Sequence, residues 1–343
     1  MYIFICIFCV LVGVVFGGIN VYKSYIRTEA IKSYNYWKKH YVIQISDSVS
    51  RVVNPQDNNV TVSEGIGYGM LLSVAANDST TFNKLWNYAK LHLNENGLMD
   101  WKIDSNGNVI GKGSASDADQ DIAYALLVAS KKWSQSSYLD DSKKMIAAIA
   151  KHEINSSYVV LPGDSWGQEW QFNPSYIAPA YYEEFASVSQ RDYWQKVSSV
   201  NIELLNKVAN KETGLLPDWI NQNGTIIEKK NIFGYDAIRV PIRLLQFYKV
   251  TKESVSGDIL KRQYKMFSGI GIDNLCSGYT VTGDPIAKYI NSSYLSSFTA
   301  ISCIHPYSRF NIAVINKLIS TSAEDYYGDS LKVWTLFIIT DRL

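Results

Sequence analysis

Residues 115–133 read ASDADQDIAYALLVASKKW, three carboxylates followed by an apolar stretch that ends in Trp133. Small and apolar side chains recur at helical spacing here, so the stretch predicts a helix over 120–133. Three carboxylates within five residues repel one another. An N-cap explains one of them and a surface patch another, whereas a calcium loop would need a bidentate Glu that does not follow. The pattern therefore predicts a helix that begins at an acidic loop.

The same arrangement, a polar turn followed by helical apolar spacing, recurs throughout residues 28–343. No Pro/Ser-rich linker or charge block interrupts this part, which favours one domain. Without a regular alternation of strand and helix, the pattern favours an all-α architecture over a Rossmann or TIM arrangement. Six helical hairpins in a ring would suit the count, but periodicity alone does not separate a ring from an irregular bundle. The twelve predicted helices cover residues 30–40, 65–76, 79–93, 120–133, 139–153, 179–187, 192–210, 237–250, 255–270, 294–303, 309–318 and 327–339.

One connection between these helices predicts a short β-ribbon. Met99, Trp101 and Ile103 alternate with polar residues within 98–110, and an Asn-Gly pair at 106–107 supplies a tight turn. The expected fold is therefore helical, with short β-ribbon insertions.

Two further carboxylates stand where a polar loop meets an apolar helix. Glu64 lies in VSEGIGYGM, where glycines at alternate positions let another helix or a ligand approach the backbone, and Asp236 precedes Arg239 in GYDAIRVPIR. Each could serve only its own helix, because a first-turn Glu complements the helix dipole and an Asp caps a helix or pairs with a nearby Arg. Their convergence with Asp117 would instead supply the protonated and ionised carboxyls that cleave a glycosidic bond.

The composition indicates which ligands to expect. The 343 residues hold 33 Lys and Arg against 32 Asp and Glu, so the net charge of +1 gives nucleic-acid binding little electrostatic support. An uncharged glucan needs no strong field of either sign. The 24 Tyr and 9 Trp suit either a bulky core or a groove on which flat polar ligands stack. Aromatic candidates near the acids are Tyr68, Trp101, Trp166, Trp170, Tyr176, Trp219 and Tyr235.

The N-terminus carries a membrane-seeking segment. Residues 2–18 read YIFICIFCVLVGVVFGG, so residues 1–22 are predicted to be a signal peptide or a membrane anchor, and a buried core helix is the alternative. We expect an exported protein, periplasmic or extracellular, that residues 2–22 anchor if they are retained. The basic residues that follow the apolar run argue against export, because the positive-inside rule would keep the body of the protein in the cytosol. The cysteines of the body, Cys276 and Cys303, lack metal-ligand spacing, and a bridge between them is left open.

At these motifs the sequence resembles glycoside hydrolase family 8, in particular the bacterial endoglucanases that accompany cellulose synthase. Besides SEGIGYGM and ASDADQDIAYALLVASKKW, the similarity covers WQFNPSYIAP, GLLPDWI, FGYDAIRVPIRL and YYGDSLKVW, in the order of the family. The second motif is the most specific, since its acidic start, its Ile-Ala pair and its closing Trp133 agree position by position.

The resemblance implies an (α/α)6 toroid and endo-acting, inverting hydrolysis of β-1,4-glucan, without a metal or other cofactor. By motif, Glu64 matches the general acid, Asp236 the general base that activates water, and Asp117 the aspartate that holds the sugar in a distorted shape. Tyr176 resembles a tyrosine that lines the site. The Tyr-Asp-Ala at 235–237 favours the cellulase-like branch of the family.

Inversion requires that the acid and the base lie about 6.5 to 9.5 Å apart, with room for a water. Burial beside Tyr68 and the negative field of Asp117 are expected to raise the pKa of Glu64, and Arg239 is expected to keep Asp236 ionised. The residues predicted to bind substrate are Tyr68, Trp101, Tyr176, Trp219, Tyr235 and Arg239.

Two alternatives stay open. One is a non-catalytic glucan-binding subunit of a cellulose-secreting machine, although all three acids are intact. The other keeps the reaction and changes the substrate to chitosan, xylan or mixed-linkage glucan; the amino groups of chitosan would favour extra groove carboxylates such as Asp119, Asp121 and Asp218. The expected partners are a β-glucan and the cellulose synthase machinery, with no nucleic acid, and the chain is expected to be a monomer.

Overall fold

The computed structural model describes residues 2–166, 171–221, 223–225, 227 and 231–343, with side chains described from residue 18 onward. The described part contains twelve α-helices and nine short strands. The helices are α1 (Tyr2–Tyr41), α2 (Ser63–Ala76), α3 (Ser79–Leu91), α4 (Ser116–Trp133), α5 (Ser136–His152), α6 (Pro179–Val188), α7 (Arg191–Val208), α8 (Arg239–Thr251), α9 (Ser254–Ile270), α10 (Ser292–Ser302), α11 (Arg309–Ser320) and α12 (Tyr326–Ile339). The strands are β1 (Val42–Gln44), β2 (Ser50–Val52), β3 (Thr61–Val62), β4 (Lys102–Ile103), β5 (Val109–Gly111), β6 (Gln171–Phe172), β7 (Ile220–Asn221), β8 (Ile232–Phe233) and β9 (Tyr279–Thr280).

The helices form two concentric rings. Each even-numbered helix contacts the next even-numbered one, and α12 returns to α2, which closes an inner ring. Each odd-numbered helix from α3 to α11 packs outside the helix that precedes it, and α1 packs against α12. The predicted all-α, (α/α)6 toroid is therefore confirmed. Inner helices such as α2 and α12 are buried on almost every face, whereas outer helices bury one apolar stripe.

Glycines in α2 bring the inner helices close together, as the sequence predicts. A Cβ at Gly67 would lie 2.9 Å from the Cβ of Asp121 and 3.2 Å from the carbonyl oxygen of Ala118, both on α4. A Cβ at Gly65 would lie 2.5 Å from the hydroxyl of Tyr326 on α12. The missing side chains therefore allow α2 to contact both of its ring neighbours along the backbone.

The two ends of the ring differ in their connections. At the C-terminal ends of the inner helices, turns such as residues 77–78, 134–135 and 252–253 lead directly into the outer helices. At the N-terminal ends, long loops carry antiparallel ribbons, among them a three-stranded sheet ordered β3-β4-β5. The predicted ribbon is confirmed as the β4–β5 pair. Irregular backbone with room for function is thus concentrated at one end.

The first helix joins the N-terminal segment to the ring. From Ile26 onward α1 buries side chains against the body, and the Trp37 indole donates to the Ser330 hydroxyl of α12 at 2.8 Å. The side chains of residues 1–17, which form most of the predicted signal peptide or anchor, lie outside the described residues. Across the side chains that are described, no helix is long and apolar enough to cross a membrane.

Three details of the sequence interpretation change. Helix α4 begins at Ser116, so its carboxylates lie within the first turns of the helix and not in a loop before it. Asp236 does not cap α8, because Ile238 occupies the N-cap position. Cys276 and Cys303 are both free thiols. Asp78, in contrast, caps α3, since its side chain accepts the backbone N–H of Thr81.

Candidate active site

Three acidic side chains converge where the inner helices begin. Glu64 is the second residue of α2, Asp117 is the second residue of α4, and Asp236 lies in the turn before α8. The first residue of α8, Arg239, is 2% exposed and binds all three. The convergence expected from the sequence is therefore organised around one buried guanidinium.

The guanidinium of Arg239 divides its hydrogen bonds between the acids. Its Nη1 donates to Glu64 Oε2 at 2.7 Å and to Asp117 Oδ2 at 2.6 Å, and its Nη2 donates to Asp236 Oδ1 at 2.8 Å. Because these bonds leave opposite ends of one planar group, the Glu64 and Asp236 oxygens lie within about 8 Å of each other. That limit leaves room for the separation that an inverting glycosidase needs between its acid and its base.

The environment of Glu64 favours its protonated form. Burial raises the pKa of Glu64 to about 8, and the nearby carboxylates of Asp117 and Asp236 add to the shift, against the opposing pull of Arg239. Burial also raises the pKa of Asp117, again against Arg239. The expectation that burial and Asp117 raise the pKa of Glu64 is confirmed. At neutral pH this carboxyl carries the proton that a general acid must donate.

Asp236 has a more open environment. Its side chain is 34% exposed, and Oδ2 accepts a hydrogen bond from the Trp219 indole at 3.0 Å. The turn that carries it is held by Asp218, whose Oδ1 accepts the N–H groups of Gly234 and Ala237 at 3.1 and 2.8 Å. Asp236 is therefore ion-paired, oriented and still accessible to water.

One helical turn below Arg239, a second buried ion pair supports the first. Arg243 donates from both terminal nitrogens to Asp121, at 2.6 and 3.1 Å, and both side chains are 1% exposed. The guanidinium lies over the rings of Tyr181 and Trp334, at 5.0 and 4.6 Å from their centroids. The carboxylates of α4 are thus buried, and the interpretation of one as a surface patch is wrong.

A cavity of about 510 Å³ adjoins the acids. Glu64 and Asp117 form one side of it, and three aromatic side chains, Trp101, Trp166 and Tyr176, form much of the rest. Carboxyls beside flat aromatic faces are the combination that a sugar chain requires, because pyranose rings stack and their hydroxyls accept and donate hydrogen bonds. The remaining lining residues are Val62, Ser63, Lys112 and Ala115.

Residues 17–341 match the sequence profile described as glycosyl hydrolases family 8. The chain belongs to this family. It is 36% identical over 299 residues to Endoglucanase 2 of Ruminiclostridium josui and 35% identical over 297 residues to Endoglucanase A of Acetivibrio thermocellus. These similarities cover 82% of the chain but only 64% and 62% of the two relatives. A solved structure of a β-1,3-1,4-glucanase from Paenibacillus sp. X4, in its apo form, superposes with a TM-score of 0.86 at 26% identity, over 94% of this chain and 93% of that one.

The predicted substrate-binding residues of this family 8 chain fall into two groups. Trp101, 37% exposed, and Tyr176 line the cavity. Trp219 contacts Tyr176 edge to face at 6.1 Å and reaches Asp236. Tyr68, in contrast, is 1% exposed and packs on Trp334 beneath the acids, so it does not line the cavity.

Tyr235, the residue before Asp236, does not line the cavity either. It is 45% exposed, its hydroxyl accepts from the Asn291 amide at 2.9 Å, and its carbonyl accepts from the Tyr327 hydroxyl. Trp170, an aromatic candidate from the sequence, lies outside the described residues. Two of the three carboxylates that the amino groups of chitosan would favour, Asp119 and Asp121, are fully buried and face no groove.

Some residues at the site escaped the sequence interpretation. Lys112 and Ser63 line the cavity, while Asn291 and Tyr327 hold Tyr235. Two of them had a signal, since Tyr327 lies in the motif YYGDSLKVW and Ser63 opens the motif SEGIGYGM. Lys112 follows a short strand and Asn291 caps a helix, where neither spacing nor residue type sets them apart. Within the described residues, no group of three or more His, Cys, Asp or Glu side chains could hold a metal ion.

Proposed function

We propose that this protein is an endo-acting, inverting hydrolase of β-1,4-glucan, with Glu64 as the general acid and Asp236 as the general base. The observation that carries the proposal is the single buried guanidinium of Arg239, which gathers both carboxyls and Asp117 beside an aromatic cavity. Family membership and the names of the endoglucanase relatives support the reaction class and the substrate.

The acid step uses the proton that burial retains on Glu64. As the bond between the anomeric carbon and the bridging oxygen breaks, Glu64 transfers this proton to the departing oxygen. Arg239 remains bound to the carboxylate that forms and compensates its new charge. Water is excluded from most of the Glu64 side chain, which is 22% exposed, so the compensation acts at low dielectric.

The base step takes place at Asp236, the more exposed of the two carboxyls. A water next to Asp236 attacks the anomeric carbon from the opposite face of the sugar and gives one proton to the carboxylate. The water oxygen becomes the new anomeric hydroxyl, with inverted configuration. Arg239 and Trp219 hold Asp236 in one orientation from two sides, which positions the water.

Asp117 and the aromatic side chains hold the substrate. Asp117 lines the cavity together with the acid, where an ionised carboxylate accepts sugar hydroxyls and favours a distorted ring at the cleavage point. Trp101, Trp166 and Tyr176 provide the flat faces on which neighbouring sugar units stack.

Product configuration tests the mechanism. Proton NMR of freshly cleaved cello-oligosaccharide should show the α-anomer first, and Asp236→Asn should lower kcat by about 10² to 10⁴ because the amide cannot accept the proton from water. Asp258→Asn, which removes an exposed carboxylate on α9, serves as the matched control and should retain activity. Initial release of the β-anomer would contradict an inverting mechanism.

Mixed-linkage glucan is the second candidate substrate. The solved β-1,3-1,4-glucanase, 26% identical with a TM-score of 0.86, favours it over xylan and chitosan. Initial rates on carboxymethylcellulose, barley mixed-linkage glucan, xylan and chitosan, with product sizes, rank the candidates. Binding without release of reducing ends from any of these polysaccharides would favour a non-catalytic, glucan-binding subunit.

We also propose that the protein is exported as a monomer, is cleaved or anchored within residues 1–22, and acts with the machinery that makes cellulose. The apolar run over residues 2–18 supports export, and a β-glucan substrate supports the link to cellulose. N-terminal sequencing of the mature protein and cell fractionation test the first part. Deletion of the gene should change the amount or length of exported cellulose; an unchanged polymer would contradict the second part.

A further inference from the structure

A second pair of carboxyls lies behind the cavity, on the side of α4 that faces away from the arginines. Asp119 and Glu153 are both fully buried. Asp119 Oδ1 accepts the backbone N–H of Met99 at 3.0 Å, and Glu153 Oε1 accepts the hydroxyl of Ser114 at 2.5 Å. The two side chains interact directly, and apart from each other their second oxygens, Oδ2 and Oε2, have no hydrogen-bond partner among the described residues.

Within the described part of the chain, no positive charge compensates this pair. Among the described ion pairs, none joins a lysine, arginine or histidine to either carboxyl. The titratable groups that face the pair are Asp164, from the loop before α6, and Tyr182 of α6, and Asp164 adds negative charge. Burial raises the pKa of Glu153 to about 8 and that of Asp119 well above its usual range. Two adjacent buried carboxyls without a cation retain a proton between them.

The pair is connected to both tryptophans of the cavity. Ser114, the partner of Glu153, accepts the Trp166 indole at its carbonyl oxygen and exchanges two hydrogen bonds with Asp164, at 2.8 and 3.1 Å. Met99, the partner of Asp119, lies two residues before Trp101. The two carboxyls therefore join the two strips of chain that carry the cavity walls.

We propose that Asp119 and Glu153 share one proton and act as positioning residues, holding Trp101 and Trp166 at the spacing that a glucan chain requires. This inference rests on the proposed function. Loss of the shared proton leaves two adjacent carboxylates, whose repulsion separates Met99 from Ser114 and widens the cavity. Substrate affinity consequently falls at alkaline pH, independently of the proton on Glu64.

Binding measurements in a catalytically blocked background test the inference. Glu64→Gln does not consume the ligand and removes the titration of Glu64 itself. In that background, the Kd for cellohexaose, followed by tryptophan fluorescence, should rise about tenfold between about pH 6 and pH 10. With Asp119→Asn added, the new amide donates to Glu153 without needing the shared proton, so Kd should change by less than about twofold.

Matched variants separate the outcomes. Glu203→Gln, which removes an exposed carboxylate on α7, should retain the tenfold rise. The same rise with Asp119→Asn would overturn the proposal, and Glu153→Gln provides the same test if Asp119→Asn does not fold.

Ligand-free protein provides a readout that does not depend on the proposed function. The tryptophan emission of Glu64→Gln should shift between about pH 7 and pH 10, and that of Glu64→Gln with Asp119→Asn should not. If cellohexaose does not bind at any pH while this shift is present, the proposed function fails and the shared proton stands. If both proteins shift alike, the shared proton is refuted.

Discussion

The two faces of α4 place the same residue type in opposite settings. On the face towards the ring axis, Asp117 and Asp121 each meet an arginine of α8 at 2.6 Å. On the opposite face, Asp119 is equally buried but meets another acid, Glu153. Helical periodicity explains the division, because residues four apart share a face and the residue midway between them points about 200° around the helix.

The difference shows two ways in which the negative charge of a buried carboxyl can be compensated. Beside Arg239 and Arg243 the carboxyls of α4 are paired with fixed positive charge, which places charged groups where a glycosidic bond would be cleaved. Beside Glu153 the compensation is a proton, which responds to pH. The carboxyls beside the arginines and the carboxyl proposed to position the cavity walls thus lie on opposite faces of α4.

The largest expected effect concerns the acid on the arginine side. Glu64→Gln should lower kcat on carboxymethylcellulose by about 10² to 10⁴, because the amide retains the contact with Arg239 but has no proton to donate to the leaving oxygen. Glu203→Gln should leave kcat unchanged. Full activity in Glu64→Gln would remove Glu64 from the reaction.

The next comparison makes the same chemical change on both faces of α4. Asp121→Asn should lower the free energy of unfolding by about 3 to 5 kcal/mol, because it leaves Arg243 buried without its charge partner. Asp119→Asn should cost less than about 1 kcal/mol at neutral pH and should stabilise the protein at alkaline pH, since it removes a carboxyl whose folded-state pKa is raised. Urea unfolding at two pH values measures both, and equal losses would contradict the division between the faces.

A smaller effect is expected where α2 meets α4. Gly67→Ala should cost about 1 to 3 kcal/mol, because its Cβ would come within 2.9 Å of the Cβ of Asp121 and force the helices apart. Gly269→Ala is the matched control on α9, where a Cβ meets no atom within 4 Å. Thermal unfolding should separate the two variants, with Gly269→Ala unchanged or slightly more stable.

The smallest expected effect is the fall of kcat at alkaline pH, the alkaline limb of the pH profile. The pKa of Glu64 is raised to about 8, so the protonated, active form persists below that pH and is lost above it. We expect kcat to fall about tenfold per pH unit above pH 8, and the residual kcat of Glu64→Gln to lack this limb. A limb that is unchanged in Glu64→Gln would assign it to another group.

The helices could be predicted from the sequence because their buried apolar side chains recur at helical spacing. All twelve predicted segments correspond to observed helices, but α1 begins at Tyr2 and not at residue 30. The other ends differ by a few residues, as α4 shows by beginning at Ser116 instead of Gln120. That shift matters, since it moves Asp117 and Asp119 into the helix, where their faces are determined. The cap expected from local sequence was wrong for Asp236, which binds Arg239 in place of the helix terminus.

The site was only partly accessible from the sequence. Motifs identified Glu64, Asp117, Asp236 and Arg239, because these side chains lie in segments similar to a known family. The interpretation of Tyr68 as a substrate contact was wrong about its position, since a tyrosine one turn into an inner helix faces the packed interior of the ring. Lys112 was missed because a lone lysine beside a short strand has no distinguishing pattern.

By itself, the sequence determined the helices, the ribbon and the family, because periodicity, turn residues and motifs are local properties of the chain. Only the tertiary structure decided which partner each buried carboxyl meets. Spacing indicates that Asp117 and Asp121 share a face and that Asp119 does not. Which face meets the arginines depends on how six helix pairs close into a ring, and that closure brings Arg239 to acids more than 100 residues away in the chain.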